Sequence, residues 1–156
     1  MTLSITTPAF TANQRMPELF SRDGGNVSPQ LEWRGEPAGT RSFALSVEDP
    51  DAPNGTFRHW AAYNIPAETH RLAQGAGSSV AGGVTQITMA KNDFGNSRYD
   101  GPQPPRGHGS HHYRFRLFAL DVPELDVSAN CAAEDVLEAA RAHTLAEGDT
   151  VGLFAC

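Results

Sequence analysis

The sequence predicts a mainly β protein with one late helix, and three observations support this. Its 156 residues include 15 glycines and 11 prolines spread along most of the chain, which favours turns and short connections over a helix bundle. Short apolar or alternating stretches recur, as they do in β-strands. Only one segment has apolar residues at helical spacing. A chain of this length buries roughly two-thirds of its unfolded surface, so we expect residues 1–156 to form a single domain.

Five stretches have the pattern of strands. The clearest is YRFRLFAL, in which Tyr113, Phe115 and Leu117 alternate with Arg114 and Arg116. Because neighbouring side chains on a strand point to opposite faces, this alternation predicts a sheet with one face against the core. The predicted strands, in chain order, are 43–47, 57–65, 84–89, 113–120 and 151–154.

The predicted helix lies in AAEDVLEAARAHTLAEG, residues 132–148. Acidic residues occupy its first turn, where they favour a helix start. Ser128 or Asn130 is the candidate N-cap, and Gly148 is the candidate end. The residues at helical spacing are Val136, Leu137, Ala140 and Leu145.

The chain is acidic, with 12 Lys and Arg against 18 Asp and Glu and a net charge of -6. Because affinity for a phosphate backbone comes mainly from an excess of Lys and Arg, we expect no nucleic-acid partner. The segment 91–116 is an exception, with five basic and two acidic residues and three of the six histidines. We therefore expect the positive charge of this segment to be concentrated at a local anion site.

The cysteines and the N-terminus bear on the cellular compartment. Cys131 and Cys156 are too few for a disulfide framework and lack C-x-x-C spacing, which fits a reducing compartment. The first residues, MTLSITTPAF, lack the basic and apolar regions of a leader, and no stretch approaches the roughly 20 apolar residues that cross a bilayer. We therefore expect a soluble, cytoplasmic protein with no membrane span.

The first segment with candidate chemistry is EDPDAPNGTFRHWAAYN, residues 48–64. A strand ending at Glu48 leads into a turn stiffened by two prolines, and a second strand brings up His59. A carboxylate on such a turn, Asp49, is positioned at low entropic cost. Taken alone, the turn could be a hairpin whose aspartates cap its own amides, and the histidine could be a core residue.

The second segment is NDFGNSRYDGPQPPRGHGSHHYRF, residues 92–115. Its glycines and prolines predict a long, locally rigid loop, and loops of this length usually have a function. The loop enters a strand on which His111 and Tyr113 share one side while His112 faces the other. An imidazole and a phenol two residues apart offer adjacent donors for one oxyanion. The alternative is a solvated loop edged by histidines.

Zinc binding is one alternative chemistry. His108, His111 and His112, with Asp49 or Glu48, are residue types that bind zinc. However, the spacing H-x-x-H-H matches no metal motif, and the last two histidines diverge on a strand. We therefore expect no metal.

Catalytic motifs are also missing. Ser110 adjoins His111, but the chain has no G-x-S-x-G elbow to position a nucleophile. It has no GxxxxGK[ST] loop, and the single lysine, Lys91, lies in no phosphate-binding context. We expect no cofactor.

Three segments, in this order, resemble the phosphatidylethanolamine-binding protein (PEBP) family, in its bacterial and archaeal Raf kinase inhibitor-like branch. They are GGNVSPQLEWRGEPAGTRSFALSVE, DPDAPNGTFRHW and YDGPQPPRGHGSHHYRFRLFALD. The resemblance runs from about Pro8 to Leu153. It implies one PEBP-like domain over 1–156, a β-sandwich with a large central antiparallel sheet, a smaller second sheet and one or two peripheral helices.

The resemblance also implies an anion pocket. Family members build it from the first aspartate of DPDxP, the histidine of the next strand, the second proline of GxxPP, and the histidine and tyrosine of HxY. Carried over by motif, the anion-binding residues are Asp49, His59, Pro105, His111 and Tyr113, with Asp51, Pro104 and Gly107 at the rim. The family binds phosphate-type anions and phosphoryl head groups such as phosphoethanolamine, and several members inhibit kinases or serine carboxypeptidases.

The chain is therefore expected to be a small binding and regulatory protein rather than an enzyme. Its expected partners are a phosphorylated or other anionic small molecule and a kinase or peptidase, and relatives include both monomers and homodimers. Two departures bear on protein inhibition: His112 stands where relatives usually have arginine, and Arg98 precedes Tyr99 where glycine is common. The alternative is a hydrolase that uses Asp49 with His59 or His111 as acid and base.

The site residues also predict a binding mechanism. A carboxylate between two imidazoles favours their protonation, so we expect His59 and His111 to hold a phosphate oxygen as an imidazolium pair. Asp49 would then accept a proton from the ligand. On this mechanism the affinity for phosphate monoesters falls as the pH rises above the histidine pKa values.

Overall fold

The structure is a computed structural model that describes residues 2–78 and 87–156. Within these residues the chain forms two antiparallel sheets, one α-helix and one 3-10 turn, so the mainly β prediction is confirmed. In chain order the elements are β1 Ser4–Thr6, the 3-10 turn Glu18–Phe20, β2 Leu31–Arg34, β3 Ser42–Asp49, β4 Phe57–Pro66, β5 Arg71–Leu72, β6 Thr88–Met89, β7 His111–Leu120, α1 Ala133–Arg141 and β8 Thr144–Phe154.

The two sheets enclose the main core. The smaller sheet has the strand order β1-β2-β5, and the larger has the order β6-β4-β3-β7-β8. Buried side chains of both sheets interdigitate between them, which confirms a sandwich with a large central sheet and a smaller second sheet. They include Ile5, Leu31, Trp33 and Leu72 from the smaller sheet and Phe43, Leu45, Trp60, Phe115 and Leu117 from the larger.

The other face of the large sheet is partly covered by α1. Phe118 and Leu120 of β7 pack there with Val136 and Ala140 of the helix. The predicted alternation along β7 is confirmed, because Tyr113, Phe115 and Leu117 are buried between the sheets while Arg114 and Arg116 lie on the opposite face and are part-exposed. The large sheet therefore has an apolar inner face and a mixed outer face.

The predicted helix is too long. It ends at Arg141, and Leu145 and Gly148 lie instead in β8, which pairs with β7 along that strand's whole length. This pairing joins distant segments, so the local helical spacing could not reveal it. A Cβ on Gly148 would lie 2.5 Å from the carbonyl oxygen of Leu3. This glycine therefore allows a close approach of two backbone segments and does not end a helix.

Neither predicted N-cap, Ser128 or Asn130, caps the helix. The N-cap is Ala132, whose backbone N–H donates to the Asp135 carboxylate at 3.0 Å. The acidic first turn, with Glu134 and Asp135, suits the positive end of the helix dipole.

The remaining strand predictions differ in outcome. Those at 43–47, 57–65 and 113–120 are confirmed with slightly longer bounds, and 151–154 is the end of β8. In the predicted strand 84–89, residues 84–86 lie outside the described residues, and Thr88–Met89 form β6. The short strands β1, β2 and β5 were not predicted.

A β-bulge interrupts the pairing of β3 with β4. Val47 pairs with Trp60 and Glu48 pairs with Arg58, so His59 has no partner across the ladder. As a result His59 and Trp60 both face the inner side of the sheet, although they are neighbours in the chain.

Candidate functional site

The ends of three neighbouring strands lie together at one end of the large sheet. The end of β3 and the starts of β4 and β7 lie side by side because these neighbouring strands are antiparallel. A cavity of about 490 Å³ opens there, within the usual size of small-molecule sites. Its lining includes all five predicted anion-binding residues and one predicted rim residue: Asp49, His59, Pro105, His111, Tyr113 and Pro104.

The other two predicted rim residues lie outside the lining. The Asp51 backbone N–H donates to Asp49 Oδ1 at 2.8 Å, and the Asp51 carboxylate accepts the N–H of His112 at 2.8 Å and its Nδ1–H at 2.7 Å. The backbone hydrogen bond and then the side-chain one lower the pKa of Asp51. Gly107 adopts φ +80°, in the left-handed region that favours glycine. These residues shape the chain around the cavity.

Asp49 and His111 form a buried pair, 3% and 2% exposed. His111 Nδ1 lies 2.7 Å from Asp49 Oδ2, and because a carboxylate accepts, this nitrogen carries the proton. The other ring nitrogen, Nε2, is within hydrogen-bond distance of Nδ1 of the exposed His108. Both nitrogens of His111 are therefore engaged within the protein.

His59 is held by the backbone of the 91–110 loop. Its Nδ1 lies 2.8 Å from the carbonyl oxygen of Asp100, which can only accept, so Nδ1 carries a proton. Burial lowers the pKa of His59 and outweighs the opposing hydrogen bond and the charge of Asp49. His59 therefore favours the neutral form at pH 7, with an unprotonated Nε2 that accepts, which does not favour the expected imidazolium pair in the free protein.

Tyr113 has a buried hydroxyl without a partner. The residue is 0% exposed and lines the cavity, yet its oxygen makes no hydrogen bond to any described residue. Burial, then the negative charge of Asp49 and the contact with that carboxylate, raise the pKa of Tyr113, so the phenol stays protonated. The hydroxyl therefore lies near Asp49 without making a well-aligned hydrogen bond to it. A buried polar group without a partner is costly, and a ligand oxygen in the cavity would satisfy it.

One wall of the cavity is apolar and aromatic. The Phe57 ring lies 4.7 Å from the Phe94 ring and 5.1 Å from the His59 ring, between centroids. The Arg22 guanidinium lies 4.2 Å from the centre of the Phe94 ring. With Ala52 also in the lining, the cavity combines a polar group of side chains with an apolar surface.

The basic side chains of segment 91–116 do not reach the cavity. Among the described residues no Lys or Arg lines it, whereas Asp49 and Asp93 do. The expectation that this segment would concentrate positive charge at the site is wrong, because three of its four arginines form ion pairs and the fourth, Arg106, lines a different cavity. These pairs are Arg98 with Asp100, Arg114 with Asp149, and Arg116 with Glu48 and Glu147.

Asp100 and Asn92 support the site and were not predicted to do so. Asn92 donates to the carbonyl oxygen of the bulge residue His59 at 3.2 Å and to Asp100 Oδ2 at 2.8 Å. The Asp100 backbone N–H also donates to the His59 carbonyl, at 3.2 Å. Their positions in a loop with many turn residues were the available signal, but the sequence did not indicate their partners.

Further lining residues were also missed. Phe57 and Phe94 read as strand and loop hydrophobics in the sequence, and only the fold brings them to one wall. Across the described ranges 2–78 and 87–156, no three His, Cys, Asp or Glu side chains are grouped as metal ligands would be. No helix in this part of the chain has the length and apolar character needed to cross a membrane.

Comparisons with known proteins place these observations in a family. The family model for phosphatidylethanolamine-binding protein matches residues 6–155. The UPF0098 protein of Aquifex aeolicus is 38% identical over 97% of this chain and 88% of its own length. The UPF0098 protein of Methanothermobacter thermautotrophicus is 40% identical over 97% of this chain and 98% of its own length.

A solved structure is also similar. The crystal structure of YbcL from Escherichia coli, described as a member of the mammalian PEBP family, superposes with a TM-score of 0.94 at 31% identity. The match covers 100% of this chain and 99% of that chain.

Proposed function

The chain belongs to the phosphatidylethanolamine-binding protein family, and we propose that it is a small binding and regulatory protein that recognises a phosphate-type anion or phosphoryl head group in this cavity. The carrying observation is the Tyr113 hydroxyl, which is buried in the cavity lining and makes no hydrogen bond to any described residue. Asp49, His59, Pro105 and His111 are its neighbours in the lining. The family match over 6–155 supports a single PEBP-like domain over 1–156.

The cavity favours a ligand that brings hydrogen atoms as well as oxygens. Tyr113 donates, but His59 Nε2 and the Asp49 carboxylate accept, and no Lys or Arg among the described residues balances Asp49 and Asp93. A phosphate monoanion supplies one P–O–H, and an ethanolamine head group supplies an ammonium. The apolar wall with Phe57 and Phe94 suits the carbon atoms next to such a group.

His108 adds a step to binding. Since it engages His111 Nε2, a ligand can contact that nitrogen only after His108 moves away. Because His108 is exposed, its displacement breaks few other side-chain contacts. The residues on either side of it, Gly107 and Gly109, are glycines at positive φ. We infer that binding exchanges the His108 contact for a ligand oxygen.

Replacing Tyr113 by phenylalanine tests the proposal most directly. A hydrogen bond to a charged group contributes about 1.5–3 kcal/mol, so the affinity for phenyl phosphate should fall about tenfold to a hundredfold. The free energy of unfolding should change by less than about 1 kcal/mol, because the hydroxyl lies near Asp49 but makes no well-aligned hydrogen bond to a described residue. Calorimetric titration and urea unfolding measure the two quantities.

Tyr99→Phe is the matched control. The Tyr99 hydroxyl donates to the Phe20 carbonyl at 2.7 Å in the core, so its removal should lower stability by about 1–2 kcal/mol and leave affinity unchanged. Equal affinities for the wild-type protein and Tyr113→Phe would contradict the proposed role of this hydroxyl.

The affinity for phosphate monoesters should fall as the pH rises through about 6, near the second phosphate pKa. Below that pH the ligand has a P–O–H for Asp49 or His59, and above it a dianion faces the carboxylates of Asp49 and Asp93. A phosphorus NMR titration of phenyl phosphate between pH 5.5 and 8 measures this change.

A sulfate monoester separates two causes of this pH dependence, because it has no proton to lose in the same range. Sulfate affinity that is flat with pH assigns the effect to the ligand proton, whereas a parallel fall assigns it to histidine protonation. Phosphate affinity that is flat from pH 5.5 to 8 would sink the mechanism.

A hydrolase remains the alternative, and the buried Asp49–His111 pair is the observation that favours it. On that reading the pair acts as acid and base on an ester. Turnover of p-nitrophenyl esters that disappears in His111→Ala would support it, and saturable binding of phosphoethanolamine without turnover would support the binding protein. Inhibition of a kinase or peptidase and a cytoplasmic location stay predictions.

A further inference from the structure

A second concave surface lies on the opposite face of the large sheet. Arg58 lies between Phe57 and His59, which line the first cavity, so its side chain leaves from the other side of β4. We call this surface the arginine notch; its volume is about 240 Å³. It is lined by Arg58, Arg116, Phe118, Leu137, Arg141, Thr144 and Glu147.

The three arginines of the notch differ in how their charge is balanced. Arg116 binds Glu48 at 3.1 Å and Glu147 at 2.6 Å. Arg58 is only partly exposed, and Glu48 lies opposite it on the ladder. Within residues 2–78 and 87–156, however, its guanidinium makes no ion pair with a carboxylate. The notch therefore has an arginine that no described carboxylate contacts directly.

Arg141 completes the notch from the helix. It lies at the end of α1, and its contact with Glu138, at 3.6 Å, joins side chains that are 78% and 71% exposed. An ion pair of this kind adds little stability, so the Arg141 guanidinium is available to a ligand.

Two donors in the notch residues are left without acceptors. The Nε atoms of Arg58 and Arg116 are buried and make no hydrogen bond to any residue that the structure describes. Buried N–H groups are nearly always paired, because an unmade hydrogen bond is costly. The two arginines lie on the strands that flank β3, and both line the notch. Two such donors in one lining point to an acceptor from outside the chain.

We propose that the arginine notch binds the dianion of a phosphate monoester, with Arg58 as the main contact and Arg116 and Arg141 beside it. Guanidinium groups present planar pairs of N–H donors that match the oxygens of a phosphate. Phe118 and Leu137 lie in the same lining and reduce access of water, which strengthens the charge interactions.

The notch and the first cavity should respond oppositely to pH. The cavity presents acceptors and carboxylates, whereas the described lining of the notch has three arginines against one carboxylate, Glu147, which already binds Arg116. The notch should therefore bind more tightly as phosphate becomes a dianion above about pH 6. This inference stands independently of the function proposed for the cavity.

The test is a titration of the arginine Nε–H signals with inorganic phosphate at pH 7.5 and constant ionic strength, followed by nitrogen-15 NMR. The Arg58 and Arg116 signals should shift and saturate together. In Arg58→Gln the affinity reported by Arg116 should fall at least about tenfold. If Arg58→Gln fails to fold, Arg141→Gln should weaken binding several-fold, because Arg141 lies on the exposed side of the helix.

Arg34→Gln is the control, because it removes the same charge from an exposed position on β2 of the smaller sheet. It should leave the notch affinity unchanged, and so should the cavity variant Tyr113→Phe. Signals that shift without saturating, or an equal loss in Arg34→Gln, would overturn the proposal, since either would show general attraction of anions. A notch affinity that falls between pH 5.5 and 8 would overturn it as well.

Discussion

Replacement of Asp100 by alanine should lower the free energy of unfolding by about 3–5 kcal/mol, as expected when one partner of a buried charged network is removed. The Asp100 side chain is 0% exposed and accepts four hydrogen bonds of 2.8–3.0 Å. The donors are Asn26 Nδ2, Asn92 Nδ2, Asn96 Nδ2 and Arg98 Nε.

The pKa of Asp100 shows the strength of this network. Burial by itself would raise the pKa, but the hydrogen bonds from Asn26, Asn96 and Asn92 and the charge of Arg98 outweigh burial and hold it below its usual value. A depressed carboxyl pKa stabilises the folded state above the unfolded pKa, and this contribution is lost as the pH falls below about 3.8. At neutral pH the variant should therefore lose the full contribution.

Urea unfolding at pH 7 measures the effect, and Asp23→Ala is the control. Asp23 is exposed and accepts one hydrogen bond, from Gln103 Nε2, so its replacement should change stability by about 0.5 kcal/mol or less. Similar losses in the two variants would contradict the structural role assigned to Asp100. Asp100 contacts His59 through its backbone, which alanine keeps, so any fall in ligand affinity would report a displacement of the loop.

Replacement of His111 by alanine should abolish measurable binding of phenyl phosphate and also destabilise the protein by about 3–5 kcal/mol. The substitution leaves Asp49 as a buried carboxylate without its imidazole partner. Adding Asp49→Asn to His111→Ala should therefore cost less stability than the sum of the two single changes. Calorimetric titration and urea unfolding of the four proteins in this cycle measure both effects.

His112→Ala is the control for the loss of an imidazole. His112 is the next residue of β7, but its side chain is 56% exposed and faces the other side of the sheet. Its removal should change stability by less than about 1 kcal/mol and leave binding intact. Undiminished binding in His111→Ala would refute the proposed site.

The long strands β3, β4 and β7 could be predicted from the sequence, whereas β8 was predicted only over 151–154 and the short strands β1, β2 and β5 were not predicted. β7 alternates apolar and polar residues over half its length, which local periodicity detects. β2 has only four residues, with Leu31 and Trp33 buried, and β5 has two, so their structure depends on partners distant in sequence. The same cause explains Leu145, whose helical spacing was overridden by pairing of β8 with β7.

The candidate site shows the same division. Motif by motif, the sequence indicated Asp49, His59 and His111, and the structure brings these residues into one lining. It did not indicate that His108 engages His111 or that burial favours the neutral form of His59, because both depend on contacts across the fold. A charge count over a segment also says nothing about which face of a sheet each arginine occupies.

Because of the bulge at His59, the number of residues in β4 matters to the site as much as their identity. One extra residue turns the His59 imidazole to the inner side, next to Trp60, and points its carbonyl away from the ladder towards Asn92 and Asp100. Deleting a single residue here would restore regular pairing at the expense of both arrangements. A substitution at the bulge keeps the backbone hydrogen bonds to the loop, whereas a one-residue deletion in β4 removes those made by the His59 carbonyl.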